Sequence, residues 1–312
     1  MLKKISIVIP TFNEEDNIVN MLYALKAVMD KFEGRYDYEL ITIDNCSLDR
    51  TVELVKQECA KDKRVKLIAN AKNFGWIRSP YYGLIQAYGD GVVVIAADFQ
   101  DPPEMIAEFI TKWEQGYSLV LGIRNQTKQN PLMYSFRKFF YRVLSSASDG
   151  EPTIKNFSGY GLYDQKFISI LREVPDQYPY LRGLVSELGF NRCEVPFVQQ
   201  KRASGKSSAN FFRLYDVAML GFTSHSKLPL RLSAFIGFFS AIISFLVAVG
   251  YFVYKLIFWY DFQIGTAPMV IGIFFFSSVQ LFFIGIIGEY IGAIHTQVRK
   301  RPLVIEKERV NF

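Results

Sequence analysis

Two long uncharged stretches constrain this chain more than any other feature. Leu232–Tyr254 holds no charged residue, Phe262–Gly288 is a second such run, and Lys255 and Asp261 are the only charges between them. Each run is long enough to cross ~30 Å of hydrocarbon at about 1.5 Å per residue, so a hairpin of two spanning helices is expected. Two buried soluble helices would not need runs so long and so apolar. Lys227 and Arg231 flank the first run, and Arg299, Lys300 and Arg301 follow the second, which places both outer ends in the cytoplasm. Tyr251, Trp259 and Tyr260 suit the far interface. Gly237, Gly250, Gly272, Gly285, Gly288 and Gly292 mark small positions where helices could approach closely, within one chain or between chains. Glu289, near the cytoplasmic end of the second span, is expected at the interface beside an arginine.

The rest of the 312-residue chain reads differently. Apolar runs at Ile5–Pro10, Glu39–Asp44, Val65–Ala69, Val92–Ala97 and Leu119–Ile123 alternate with helical patterns after Asn13, Arg50, Asn73 and Pro103. Such alternation predicts a parallel sheet covered on both faces, with right-handed crossovers. Polar residues collect where these strands end: Thr11 to Glu14, Asp44, Asn73, Asp98, Gln100 and Arg124. Repeated at five strand ends, they describe a nucleotide-sized site. The N-terminus, MLKKISIVIP, moves straight into a strand and its apolar run is too short for a signal peptide, so this domain is expected on the side where it is made. Cys46, Cys59 and Cys193 lack metal-ligand spacing and read as reduced thiols. The net charge of +6 fits phosphates or an anionic membrane surface. Nothing in the pattern calls for nucleic acid.

The stretch VVVIAADFQDPPE (92–104) is the chemical centre of this reading. An apolar strand ends at Asp98, and Pro102 and Pro103 close the loop ahead of a helix. Asp98 and Gln100 can share a hard cation such as Mg²⁺ or Mn²⁺, which in turn holds phosphate. The same residues also fit a plain strand-to-helix turn with a capping Asp. After Arg124 the alternation breaks. Residues Pro131–Ala147 place Phe136, Phe139, Phe140 and Val143 beside Arg137, Lys138 and Arg142, which suits either the plane of a membrane or a packed core helix. Phe157–Tyr163 and Phe190–Gln199 read as strands with a helix Pro179–Leu188 between them. The loop Lys201–Ser208, with Arg202, Lys206 and Ser207, is suited to an anion by charge and small residues, or is a solvated loop.

With these stretches assembled, the chain resembles the family 2 glycosyltransferases, and among them the polyprenyl-phosphate glycosyltransferases. The resemblance rests on IVIPTFNEEDNI (7–18), IDNCSLDRT (43–51), NFG (73–75), ADFQDPPE (97–104), GIR (122–124), YLRGLV (180–185) and PLRL (229–232), in that order. It implies a glycosyltransferase A-type α/β domain, Rossmann-like with a mostly parallel sheet, over residues 1–205. An amphipathic interfacial segment (206–230), two transmembrane helices (about 232–258 and 265–291) and a cytoplasmic tail (299–312) follow. It implies inverting transfer of a hexose, with UDP-glucose as the expected donor, to a polyprenyl (undecaprenyl) phosphate at the cytoplasmic face of the inner membrane. The product would be a lipid-linked sugar for envelope glycan (O-antigen) modification, and a homo-oligomer, dimer or tetramer, is expected.

Roles follow by position. Pro10, Thr11, Phe12, Glu14, Asp44, Asn73 and Gly75 would hold the nucleotide sugar. Asp98 and Gln100 would hold a divalent metal, Mg²⁺ or Mn²⁺, on its diphosphate. Arg124, Arg137, Arg202, Lys206 and Ser207 would face the acceptor phosphate, with Arg124 and Arg202 also serving the reaction itself. Three departures stand against the family pattern. Ala96 replaces the leading Asp of the metal loop, Asn45 replaces the second Asp after the second strand, and Trp76 and Arg78 follow NFG where smaller residues are usual. They leave room for altered donor use or for a non-catalytic nucleotide-sugar-binding protein. A processive polysaccharide synthase would need more spans and its own Gln/Arg-x-x-Arg-Trp-type motif, and two spans are few for a lipid flippase.

Overall fold

The structure is a computed structural model that describes residues 2–125, 154, 156–174, 176–200, 228–258 and 266–312. Its frame is an eight-stranded sheet: β1 (Lys3–Thr11), β2 (Tyr36–Asp44), β3 (Val65–Asn70), β4 (Gly91–Val94), β5 (Leu119–Arg124), β6 (Phe157–Asp164), β7 (Arg192–Phe197) and β8 (Glu306–Val310). The spatial order is β7-β5-β6-β4-β1-β2-β3-β8. Strands β4, β1, β2 and β3 run parallel, as do β5 and β7.

Apolar residues at alternate positions dress both faces. Ile5, Ile7 and Ile9 of β1 pack on one side with α1 (Ile18–Met29), α2 (Thr51–Lys61) and α4 (Met105–Glu114). Val8, Ile41 and Ile43 pack on the other with α3 (Gly75–Ile85), α5 (Gln165–Glu173) and α6 (Leu181–Glu187). A strand buried on both faces has no polar side to show, which is why these runs lack alternation in the sequence. After β3 the chain crosses by α3 back to β4 on the far side of β1. The crevice between the ends of β1 and β4 is therefore a topological switch point, where open sheets of this kind bind ligands.

Three features differ from the sequence expectation. The fourth strand ends at Val94; Ile95 still donates to the Val8 carbonyl at 3.0 Å, and the backbone then turns through Phe99 at φ 57°. β5 does not lie beside β4, because β6 inserts between them antiparallel to both. The helix Gln165–Glu173 follows β6 directly, its first turn capped by the Asp164 side chain, which accepts from the Lys166 N–H.

Helices α7 (Leu228–Ile257) and α8 (Thr266–Val298) contain apolar segments of 22 and 27 residues, with mean hydropathy 2.3 and 1.7, that are not buried in the protein. They are long and apolar enough to cross a membrane. Between them lies a groove lined on α7 by Ser233, Ala234, Gly237, Ser240 and Ala241. A Cβ added at Gly237, Gly250, Gly272, Gly285, Gly288 or Gly292 would meet nothing within 4 Å, so none of these glycines serves a close helix approach within the described chain.

The last residues return to the sheet. β8 pairs antiparallel with β3, the Ala71 N–H donates to the Ile305 carbonyl at 2.9 Å, and Asn311 donates to the carbonyls of Cys59 and Val65 at 2.8 Å each. At the end of α8, Gln297 donates to Asp176 at 2.6 Å and accepts from the Gln177 N–H at 3.0 Å. The three cysteines are free thiols.

Candidate active site

The crevice is built by loops that tie one strand end to the next. Thr11 lies opposite Asp44 in the β1–β2 register, and its carbonyl accepts from the Asn45 N–H at 2.9 Å. Beyond it the segments 13–15 and 47–51 interlock. The Asn13 N–H donates to Ser47 Oγ at 2.9 Å and Asn13 Oδ1 accepts from the Leu48 N–H at 2.8 Å. The Glu14 N–H donates to Thr51 Oγ1 at 2.9 Å, and the Glu15 N–H to Asp49 at 3.1 Å. Asn13 and Cys46 take positive φ (55° and 66°) to make these turns. Asp44 is fully buried and accepts from the backbone and hydroxyl of Ser47; burial raises its pKa against those bonds. Pro10 lines the crevice, while Phe12 is not among its lining residues and is 36% exposed.

Asn45 uses its whole amide. It donates to Asn73 Oδ1 at 3.0 Å and to the Gly75 carbonyl at 3.1 Å, and accepts from the Phe74 N–H at 2.9 Å and Asn70 at 3.2 Å. A carboxylate could not donate the first two bonds. The departure at this position therefore has a structural account. Gly75 adopts φ 86°, a conformation that favours glycine, and donates to Asn73 Oδ1 at 2.8 Å.

Asp98 is 6% exposed, and its carboxylate accepts from the Gln100 N–H at 3.1 Å, closing a local turn rather than capping α4. The Gln100 carbonyl accepts from the Gln200 N–H at 3.1 Å, which joins this loop to the exit of β7. Asp101 is 4% exposed and lies 3.2 Å from Arg124 Nη2. Burial raises the Asp101 pKa, and Arg124 opposes the shift. Among the described residues no three His, Cys, Asp or Glu side chains cluster as a metal site. Asp98 and Gln100 can offer two hard oxygens, a set that a cation such as Mg²⁺ completes with substrate phosphates and water.

Beside this loop lies a cavity of about 250 Å³. Its walls include Trp76, Ile77, Pro80, Leu84, Ala96 and Leu181, and its polar groups include Asp101, Arg124, Ser158 and Arg182. Trp76 is thus placed at the site, whereas Arg78 turns away and donates to the Gln177 carbonyl at 3.0 Å. Tyr160 donates to the Pro102 carbonyl at 2.6 Å and fixes the loop from beneath. Arg137, Arg202, Lys206 and Ser207 lie outside the described residues, as do the segment 131–147 and most of the interfacial segment. Sequence reading missed Ser158, Tyr160 and Arg182 as site residues, although the YLRGLV stretch was a signal for the last.

A crevice of carboxylates and arginines at the switch point of a doubly wound sheet defines an α/β protein that binds its ligand outside the carboxyl ends of its strands. The chain belongs to glycosyl transferase family 2, whose sequence pattern matches residues 6–189. It is 33% identical over 308 residues to the SfII prophage-derived bactoprenol glucosyl transferase of Shigella flexneri, covering 98% of each chain. It is 34% identical over 304 residues to the uncharacterized glycosyltransferase YkcC of Bacillus subtilis, covering 96% of this chain and 92% of that one. Among solved structures, Mycobacterium tuberculosis glucosyl-3-phosphoglycerate synthase matches at a TM-score of 0.47 and 20% identity, over 71% of this chain and 78% of that one, too distant to carry a site residue across. The protein is accordingly a transferase with a glycosyltransferase A-type sheet.

Proposed function

We propose that this enzyme transfers a hexose, with inversion, from a nucleoside-diphosphate sugar to a polyprenyl phosphate at a membrane surface. UDP-glucose is the first donor to test and undecaprenyl phosphate the first acceptor. The observation that carries the reading is the end-to-end similarity to a bactoprenol glucosyl transferase, which includes both apolar helices. Such helices hold a strand-end site at the depth where a lipid phosphate lies, raising its effective concentration.

The return of β8 to β3 supports a hairpin topology, because it ties the chain after α8 to the same sheet that precedes α7. In this reading both helices cross the inner membrane, and the catalytic domain and the tail share its cytoplasmic side. The uncovered glycines on both helices support a homo-oligomer.

Within the site, the interlocked loops at Thr11–Glu14 and Asp44 would hold the nucleoside, with Asn73 and Gly75 alongside. Asp98 and Gln100 would hold a divalent cation, whose charge when bound favours departure of the nucleoside diphosphate. Arg124 would hold an acceptor oxygen with its planar fork. The acceptor phosphate is already ionised near neutral pH, so positioning and charge control replace a strong general base. A second reading, altered donor choice, is favoured by Ala96, which presents a methyl group to the cavity wall.

The test is transfer in nanodiscs with undecaprenyl phosphate, a panel of sugar nucleotides, and Mg²⁺, Mn²⁺ or chelator. Lipid-linked product from one donor, lost with chelator, is the expected result. No product from any donor despite nucleotide binding would overturn the reading.

A further inference from the structure

The cavity beside the metal loop is lined by two kinds of residue, and its polar groups are incompletely paired. Ser158 Oγ and Arg124 Nε are both buried and have no hydrogen-bond partner among the described residues. Each such group is costly to leave unmet until a ligand atom or water satisfies it. Arg182 lines the same cavity. Among the described residues of the wall the one carboxylate, Asp101, is paired with Arg124 through Nη2. Two cations therefore stand against one carboxylate. Arginine donates only and serine can donate, so the complementary group is an oxygen acceptor with negative charge.

The apolar part of the lining has the opposite character. Trp76, Ile77, Pro80, Leu84, Pro179 and Leu181 form it. A sugar bears a hydroxyl on nearly every carbon, and each would need a partner there. An alkyl group needs none. A ligand with an oxyanion at one end and a hydrocarbon at the other matches both kinds of lining.

We infer that Arg182 and Ser158, with Arg124, form the subsite for a phosphate monoester whose first alkyl carbons lie against Trp76, Ile77 and Leu181. The inference rests on the lipid-phosphate acceptor proposed above and assigns it a place. It adds Arg182 and Ser158 to the binding residues and makes Leu181 a determinant of the alkyl group.

The test measures binding without turnover, using the full-length protein in nanodiscs. The probes are geranyl monophosphate, inorganic phosphate, geraniol and UDP, with thermal melts as a check on folding. Arg182→Gln is expected to weaken geranyl monophosphate at least tenfold and Ser158→Ala three- to tenfold, with UDP affinity held within twofold. Leu181→Ser is expected to weaken geranyl monophosphate more than inorganic phosphate. Arg182→Lys keeps the charge and is expected to recover part of the loss, which separates binding from folding. If Arg182→Gln weakens UDP as much as geranyl monophosphate, the subsite serves the donor diphosphate and the inference is overturned. Unchanged geranyl monophosphate binding also overturns it. Absence of transfer in the nanodisc assay, with this binding pattern intact, would sink the reaction and leave the subsite supported.

Discussion

Asp101 and Arg124 stand 23 positions apart in sequence, yet the carboxylate of one lies 3.2 Å from the guanidinium of the other. The pair links the loop after β4 to the end of β5 across the inserted strand β6. It orients the arginine while leaving Nε without a hydrogen-bond partner among the described residues. Replacing Asp101 with Asn removes the charge but keeps the shape. We expect kcat/KM to fall about tenfold, or about 1.4 kcal/mol of transition-state stabilisation. The loss should sit in the KM for the lipid acceptor and not in the KM for the nucleotide sugar. Steady-state kinetics with each substrate varied in turn will separate the two.

Asp98→Asn tests the metal loop. The substitution keeps an oxygen for the Gln100 N–H but removes the charge. Transfer is expected to fall on the order of a hundredfold or more, with the activating Mg²⁺ concentration shifted upward. Turnover at the wild-type rate with an unchanged Mg²⁺ titration would count against the assignment.

Asn45→Asp asks whether the amide is needed. The carboxylate would face the Asn73 Oδ1 and Gly75 carbonyl oxygens that now accept from Nδ2. Leaving such buried contacts unsatisfied costs about 2 kcal/mol. A lower thermal midpoint together with a raised KM for the sugar nucleotide is the expected pair of results. A melt indistinguishable from wild type would show that the loop re-forms without the amide.

Glu39 provides a pH test remote from the site. It is buried on β2 and receives Lys66 at 2.8 Å, Lys4 at 3.0 Å and Ser6 Oγ at 2.6 Å. Burial alone would raise its pKa, but the bonds from Lys66, Ser6 and Lys4 outweigh burial and lower it. For a depressed carboxylate, the stabilisation is complete above the unfolded value, about 4.3, and is lost as pH falls through the lower folded value. Glu39→Gln should therefore cost about 2 kcal/mol at neutral pH. The gap between wild type and variant should narrow as the medium is acidified below the ordinary carboxylate range. Urea melts across that range will report it.

Truncation after Leu303 removes β8 and exposes the edge of β3. The Tyr82 hydroxyl loses Glu306, now 2.9 Å away, and Gln86 loses Arg309 at 2.8 Å. An open parallel edge invites pairing with other chains. The truncated enzyme is expected to melt several degrees lower and to aggregate on concentration in detergent, as size-exclusion chromatography will show.

Much of this was legible in the chain itself. VVVIAADFQDPPE announced a buried strand that ends in carboxylates, and the helix after Pro103 followed as expected. The Asp98 turn was less visible, because an Asp before a helix fits a cap as well as an Asx-type turn. The interlock of Asn13 with Ser47 and Leu48 could not be read, since it joins two loops 34 and 35 positions apart. Ser158 carries no local signature and only its cavity marks it, whereas Arg182 lies in the YLRGLV stretch, whose place at the site only the fold reveals.

The sequence by itself determined most of the elements: the first five strands, the helices between them, and the two long apolar helices, though not the helix Gln165–Glu173 or β8. These depend on side-chain period and charge along one short segment, which physics reads locally. The tertiary structure alone decided the strand order, with β6 inserted beside β4 and β8 closing the edge at β3. It also decided which polar groups share a crevice. Those outcomes rest on pairings between distant segments, where many partners satisfy the same local pattern and only the packed whole selects among them.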